Sequence, residues 1–119
     1  MIFGELIREA LEKIEGGVAG VIMGTDGIAL DSFSKKEGTI EIQTAGIEYA
    51  AILKEVRRIA GELKTGGVRE FSVIGESHIL IVEPVNDEYF FAMAVLPEGN
   101  FGKARYTMKM TVPKIRKEL

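Results

Sequence analysis

The sequence predicts an α/β domain, a three-layer sandwich in which helices cover both faces of a five-stranded antiparallel sheet, in the order α-β-β-α-β-β-β-α. Three observations predict it. Two segments, near the start and in the middle, repeat apolar residues at spacings of three and four. Five short β-rich runs are separated by turns too short for parallel crossovers. The run Tyr89-Phe90-Phe91-Ala92-Met93-Ala94-Val95 is apolar on both alternating faces, as a central strand buried from both sides must be.

The first helix places Ile2, Phe3, Leu6, Ile7, Ala10, Leu11 and Ile14 on one face and stops at Gly16-Gly17. Val18 to Met23 and Ile28 to Phe33 flank Gly24-Thr25-Asp26-Gly27, and the Asp-Gly pair suits the φ > 0 positions of a tight hairpin turn. Residues Ser34 to Thr39, with Lys35-Lys36-Glu37-Gly38, read as a polar loop with a mobile tip.

From about Gln43 to Lys64 the helical period returns. Ala45, Tyr49, Ile52, Leu53, Val56, Ile59, Ala60 and Leu63 form the expected core face. Opposite them stand Ile47, Ala50, Ala51, Lys54, Arg57, Arg58 and Gly61, bordered by Glu48, Glu55 and Glu62. Gly66-Gly67 ends the helix. Strands are then expected at Val68 to Gly75, His78 to Val85 and Tyr89 to Leu96, as a meander. Asn100 is placed to cap a last helix carrying Phe101, Ala104, Met108, Thr111, Ile115 and Leu119 on one face, with a kink or break expected before Pro113.

The chain is 119 residues long, 46% hydrophobic and 28% charged, which fits one soluble domain over residues 1–119 with no repeat or linker. It has no cysteine and one histidine, His78, so thiolate zinc sites, cysteine nucleophiles and imidazole metal clusters are excluded. A net charge of -3 gives no overall attraction to nucleic acid. No apolar stretch approaches the roughly 20 residues that span a bilayer, and the start lacks a basic signal region, so a cytoplasmic location without membrane insertion is expected.

Chemistry is sparse. The glycines from Gly16 to Gly24 bracket a strand and lack the phosphate-loop spacing. Asp26, Asp31, Asp87 and Glu88 lie in or beside turns, where acidic side chains bind backbone groups. His78 has no matching nucleophile. Lys103, Arg105, Lys109, Lys114, Arg116 and Lys117 suit a solvated helix end. No catalytic residue, metal or cofactor is expected, and the chain is not read as an enzyme.

The middle helix is the exception. Ile47, Ala50, Ala51 and Lys54 would present small apolar surface to a second copy, and the run opened by Arg69, Phe71 and Val73, if it is a sheet edge, offers free backbone groups for pairing. These seven residues form the expected homodimer interface. Ala50→Glu is then expected to give a folded monomer.

Three segments resemble the roadblock/dynein light chain family, in its bacterial and archaeal gliding-motility branch. They are Gly20 to Ser32 (Gly-Val-Ile-Met-Gly-Thr-Asp-Gly-Ile-Ala-Leu-Asp-Ser), the Ala-rich helix from Ala45 to Leu63, and Asn100-Phe101-Gly102-Lys103-Ala104-Arg105-Tyr106. The resemblance implies a roadblock/profilin-like fold and a homodimer joined through its long helices and third strands. It further implies a regulator of a small Ras-like GTPase, activator or scaffold, that binds the switch regions. Lys54, Arg57 and Arg58 are then partner-surface residues, and Arg57, Arg58 and Arg69 are the candidates for an arginine finger. The short loop and the end at Leu119, without the tail of some activators, favour binding over stimulation. The alternatives are a PAS/profilin-like small-molecule sensor or a general protein-interaction module.

Overall fold

The computed structural model describes residues 2–35 and 40–119, so the expected mobile tip of the Ser34 to Thr39 loop falls outside the described residues. Its elements are α1 (Ile2–Glu12), β1 (Gly17–Gly24), β2 (Ala29–Ser34), α2 (Ile42–Leu63), β3 (Phe71–Ile74), β4 (Ile79–Pro84), β5 (Tyr89–Val95) and α3 (Phe101–Glu118). The sheet runs β2-β1-β5-β4-β3, with every neighbouring pair antiparallel. The predicted order and architecture are those observed, and β5 is the middle strand.

Alternation of side chains divides the core into two layers. Ile22, Ile79, Ile81, Phe91, Met93 and Val95 point to one face, where Ile7, Leu11 and Ile14 from the α1 segment and Ala104, Met108 and Ile115 of α3 close over them. Val21, Met23, Leu80, Val82, Phe90 and Ala92 point to the other, where α2 brings Ile42, Ala50 and Leu53.

Local chemistry explains the boundaries. In the β1–β2 turn the Asp26 side chain accepts from the backbone N–H of Ile28 at 3.0 Å, and Gly27 takes φ 88°. The Asn100 side chain accepts from the Lys103 N–H at 2.9 Å and caps α3. The expected break before Pro113 does not occur: α3 is one helix with Pro113 inside it. Pro113 and Lys109, whose carbonyl loses its donor, both lie on the exposed side of the helix, where the lost bond leaves no buried acceptor behind.

One strand limit and one helix cap also differ from expectation. β3 begins at Phe71 rather than Val68, because the register with β4 starts at Phe71 opposite Val82 and Glu70 is drawn to α3 instead. α2 ends at Leu63, within a residue of the expected Lys64, but the left-handed cap is Lys64 itself (φ 56°) rather than the glycine pair, with the Lys64 N–H donating to the Gly61 carbonyl.

Candidate protein-interaction site

α2 has two apolar sides, only one of which is used. Ile42, Gly46, Ala50, Leu53 and Ala60 face the sheet and are buried. The residues on this side are small because the helix comes close: a Cβ on Gly46 would lie 2.8 Å from the Met23 methyl carbon and 3.3 Å from a Val21 methyl. Ala50 is 4% exposed, which corrects its expected place on the dimer surface. The same geometry corrects the expected core face, since Ile52, Ile59 and Leu63 are 37%, 42% and 68% exposed.

Those three belong to a stripe of their own. Ala45, Tyr49, Ile52, Val56, Ile59 and Leu63 alternate at spacings of four and three, the pattern of a helix that packs along a second helix. Ala45, Tyr49 and Val56 are half-buried and the other three exposed. The stripe lies on the β3 flank, where Tyr49 packs edge-on to Phe71 with ring centres 6.2 Å apart. β3 is the sheet edge, paired among the described residues with β4 alone; Val73, opposite Leu80 and so on the α2 face, is 42% exposed, while Ile74, opposite Ile79, points to the other face. Helix stripe and strand edge thus make one apolar surface with open backbone groups.

The seven residues expected at a dimer interface are not brought together. Phe71 and Val73 stand on the β3 edge. Ile47, Ala51 and Lys54 turn to the outward and β2 side of α2, where the Ile47 side chain approaches Gly27 of the β1–β2 turn. Arg69 is exposed in the loop before β3, without a hydrogen bond or ion pair among the described residues.

The cationic trio of α2 divides as well. Lys54 is exposed and unpaired among the described residues. Arg58 pairs with Glu55, its Nε 3.1 Å from the carboxylate, and this bond holds the Glu55 carboxyl below its ordinary range. Arg57 donates to the carbonyls of Asn86 and Asp87 at 3.0 and 3.1 Å, which clamps the β4–β5 turn. The Asn86 side chain closes the same turn by accepting from the N–H groups of Glu88 and Tyr89.

A polar network that the sequence pattern does not announce ties β4 and the residue before β3 to α3. Lys109 Nζ lies 2.6 Å from Glu70 and 3.1 Å from Glu83, and Arg105 Nε lies 2.7 Å from Glu70. Glu83 is only 4% exposed; burial pushes its carboxyl up to about 7, Lys109 opposes that rise and Glu70 adds to it. Burial also opposes ionisation of Glu70, but Arg105 and Lys109 hold it below its ordinary range. The network borders a cleft of about 430 Å³ that Arg57, Arg69, Asp87 and Arg116 also line.

The sign of the pH effect follows. A folded-state pKa raised from 4.5 to about 7 means that Glu83 keeps a proton the unfolded chain releases, so its contribution to stability falls as pH climbs through that window and is level above it. Glu70 acts oppositely, stabilising above its ordinary pKa and losing that contribution in acid. Glu83→Gln, which preserves shape, removes the Glu83 component. Relative to the parent it gains about 2 kcal/mol between pH 5 and pH 8 in urea unfolding. An equal difference at both pH values would refute the assignment.

Comparison with solved structures places this arrangement. The chain is 39% identical to MglC from Myxococcus xanthus over 100% of both chains, with a TM-score of 0.73. It belongs to the roadblock/LC7 family. A roadblock/LC7 domain from Streptomyces avermitilis shares the fold at 16% identity and a TM-score of 0.86, with 96% of this chain and 94% of that one covered. The gliding protein MglB from Thermus thermophilus does so at 16% and 0.85, with 95% and 84% covered. No protein-family model matches the sequence, and no curated protein matches it. No helix among the described residues is long and apolar enough to cross a membrane.

Proposed function

We propose that this roadblock/LC7 protein is a homodimeric regulator, activator or scaffold, of a small Ras-like GTPase, and that it works by binding the switch regions. The observation that carries the dimer is the exposed stripe of Ile52, Ile59 and Leu63 beside the open β3 edge. Two copies related by a two-fold axis would pair stripe with stripe and edge with edge. The family supports the GTPase. The outward arc of α2 remains uncovered in such a dimer and joins Ile47 and Ala51 to Lys54 and Arg58, an apolar centre with cations beside it.

In this reading the protein supplies no covalent chemistry. It holds the switch loops in the arrangement that favours or preserves the nucleotide state. Lys54 and Arg58 are the partner-surface residues. Arg57 supports the surface indirectly, because its guanidinium is committed to the β4–β5 turn.

The test is solution mass by light scattering, with and without the small GTPase encoded nearest to it and loaded with a GTP analogue. A dimer that gains GTPase mass, and loses that gain on Lys54→Glu with Arg58→Glu, is expected. A protein whose mass is indifferent to the GTPase in both nucleotide states would overturn the GTPase reading while leaving the dimer to be judged separately.

A further inference from the structure

The last helix carries the largest excess of positive charge of the three helices. α3 has six cations (Lys103, Arg105, Lys109, Lys114, Arg116 and Lys117) and one carboxylate, Glu118, in a protein of net charge -3. Three of the six are committed internally. Arg105 and Lys109 pair with Glu70 and Glu83, and Arg116 donates to the Val85 carbonyl at 2.9 Å. Lys103, Lys114 and Lys117 are exposed and have no bonding partner among the described residues.

The uncommitted three are not scattered. Lys103, Tyr106, Met110, Lys114 and Lys117 follow one another at spacings of three, four, four and three, within roughly 80° of arc on the side of the helix away from the sheet. The stripe is about 21 Å long at 1.5 Å per residue. Its centre is apolar, with Tyr106 and Met110 60% and 51% exposed, and its ends are cationic. Helix-dipole complementarity accounts for Lys114 and Lys117 near the C-terminus, but it disfavours Lys103 in the first turn, where α3 has no acidic residue.

We propose that this outer face of α3 is a second docking surface, taking an acidic helical segment of a partner protein whose apolar side chains cover Tyr106 and Met110 and whose carboxylates meet Lys103, Lys114 and Lys117. An apolar centre with a charged rim is the anatomy of a protein contact. Both arginine forks of α3, the groups best matched to phosphate, are already spent on Glu70 and Val85, and the chain as a whole repels polyanions. Two apolar side chains are also too few to seat a helix in a lipid surface. α3 lies on the sheet face opposite α2, so this surface is independent of the dimer and of the GTPase surface.

The probe is a synthetic amphipathic helix of about fourteen residues, with leucines at its centre and glutamates at both ends, labelled for fluorescence anisotropy against the full chain. Its lysine-for-glutamate counterpart, a single-stranded DNA and phosphatidylserine vesicles are the competitors. The acidic helix is expected to bind, with affinity falling as salt rises. Tyr106→Ser with Met110→Ser, and separately Lys103→Glu with Lys114→Glu and Lys117→Glu, each weaken it about tenfold or more. All five positions are exposed, and thermal unfolding checks that the variants stay folded. Absence of binding, affinity unchanged in both variants, or tighter binding of the DNA, the vesicles or the basic helix would overturn the proposal.

Discussion

Ile59→Glu is expected to yield a folded monomer. Ile59 is 42% exposed on the isolated chain, so the new carboxylate remains in water there and the fold loses little. In the proposed dimer the two-fold axis confronts that carboxylate with its copy across the paired stripes. Each would be desolvated without a counter-ion, and the isoleucine packing between the stripes would go as well. The dissociation constant of the dimer is expected to rise at least about a hundredfold, equivalent to about 2.7 kcal/mol. Light scattering over a concentration series reads this directly. Ile47→Glu is the control, because Ile47 sits beside the β1–β2 turn on the other flank of α2 and should leave the dimer mass unchanged. Dimer mass kept by Ile59→Glu combined with Leu63→Glu would remove α2's stripe from the interface.

The two flanks of α2 also show where sequence reading reaches its limit. Periodicity locates apolar positions, and it placed the helix, its length and its amphipathic character correctly. It does not tell which of two apolar arcs faces the sheet. Large residues at Ile52, Ile59 and Leu63 outrank glycine and alanine on any hydrophobicity count, so they read as core, and Ala50 and Ala51 read as a site for close approach by a second helix. Close approach is indeed what small residues allow, but the approaching element is β1, as the contact of Gly46 with Met23 and Val21 shows. The signal available in the sequence was the strict alternation of four and three from Ala45 to Leu63, which is narrower than a core face and regular enough for a seam.

Elsewhere, local chemistry was legible where it is local. Asp26-Gly27 and Asn100 act within three residues of themselves: the cap forms as expected, and the turn forms where expected, although only Gly27 of the pair takes a positive φ while Asp26 closes the turn through its side chain. The apolar run of β5 states its own burial on both faces. By contrast, Lys109 meets Glu83 and Glu70 across 26 and 39 residues of sequence, and Arg57 reaches the turn 29 and 30 residues away. Such partners depend on strand order and helix placement together. For that reason neither the clamp made by Arg57 nor the burial of Glu83 is legible in the sequence pattern.

Ala50→Glu carries the largest expected loss of stability, and it reverses the outcome foreseen from the sequence. Ala50 is 4% exposed and belongs to the layer containing Val21, Met23, Leu53 and Phe90, so a longer side chain has no vacant volume to enter. It must push α2 off the sheet or bury an unpaired carboxyl, and either route costs about 3 to 5 kcal/mol, a large share of the stability of a domain this size. Ala51→Glu, one residue on and exposed, is expected to change stability by less than about 0.5 kcal/mol. Urea unfolding of the two variants beside the parent separates the cases. The pH dependence adds a second check: a carboxyl forced under α2 has a raised folded pKa, so its penalty grows as pH rises above the unfolded value near 4.3 and eases in acid. A cooperative, parent-like transition for Ala50→Glu at pH 8 would mean that α2 is rotated about its axis from the orientation described, with Ala50 toward solvent and the stripe of Ile52, Ile59 and Leu63 in the core.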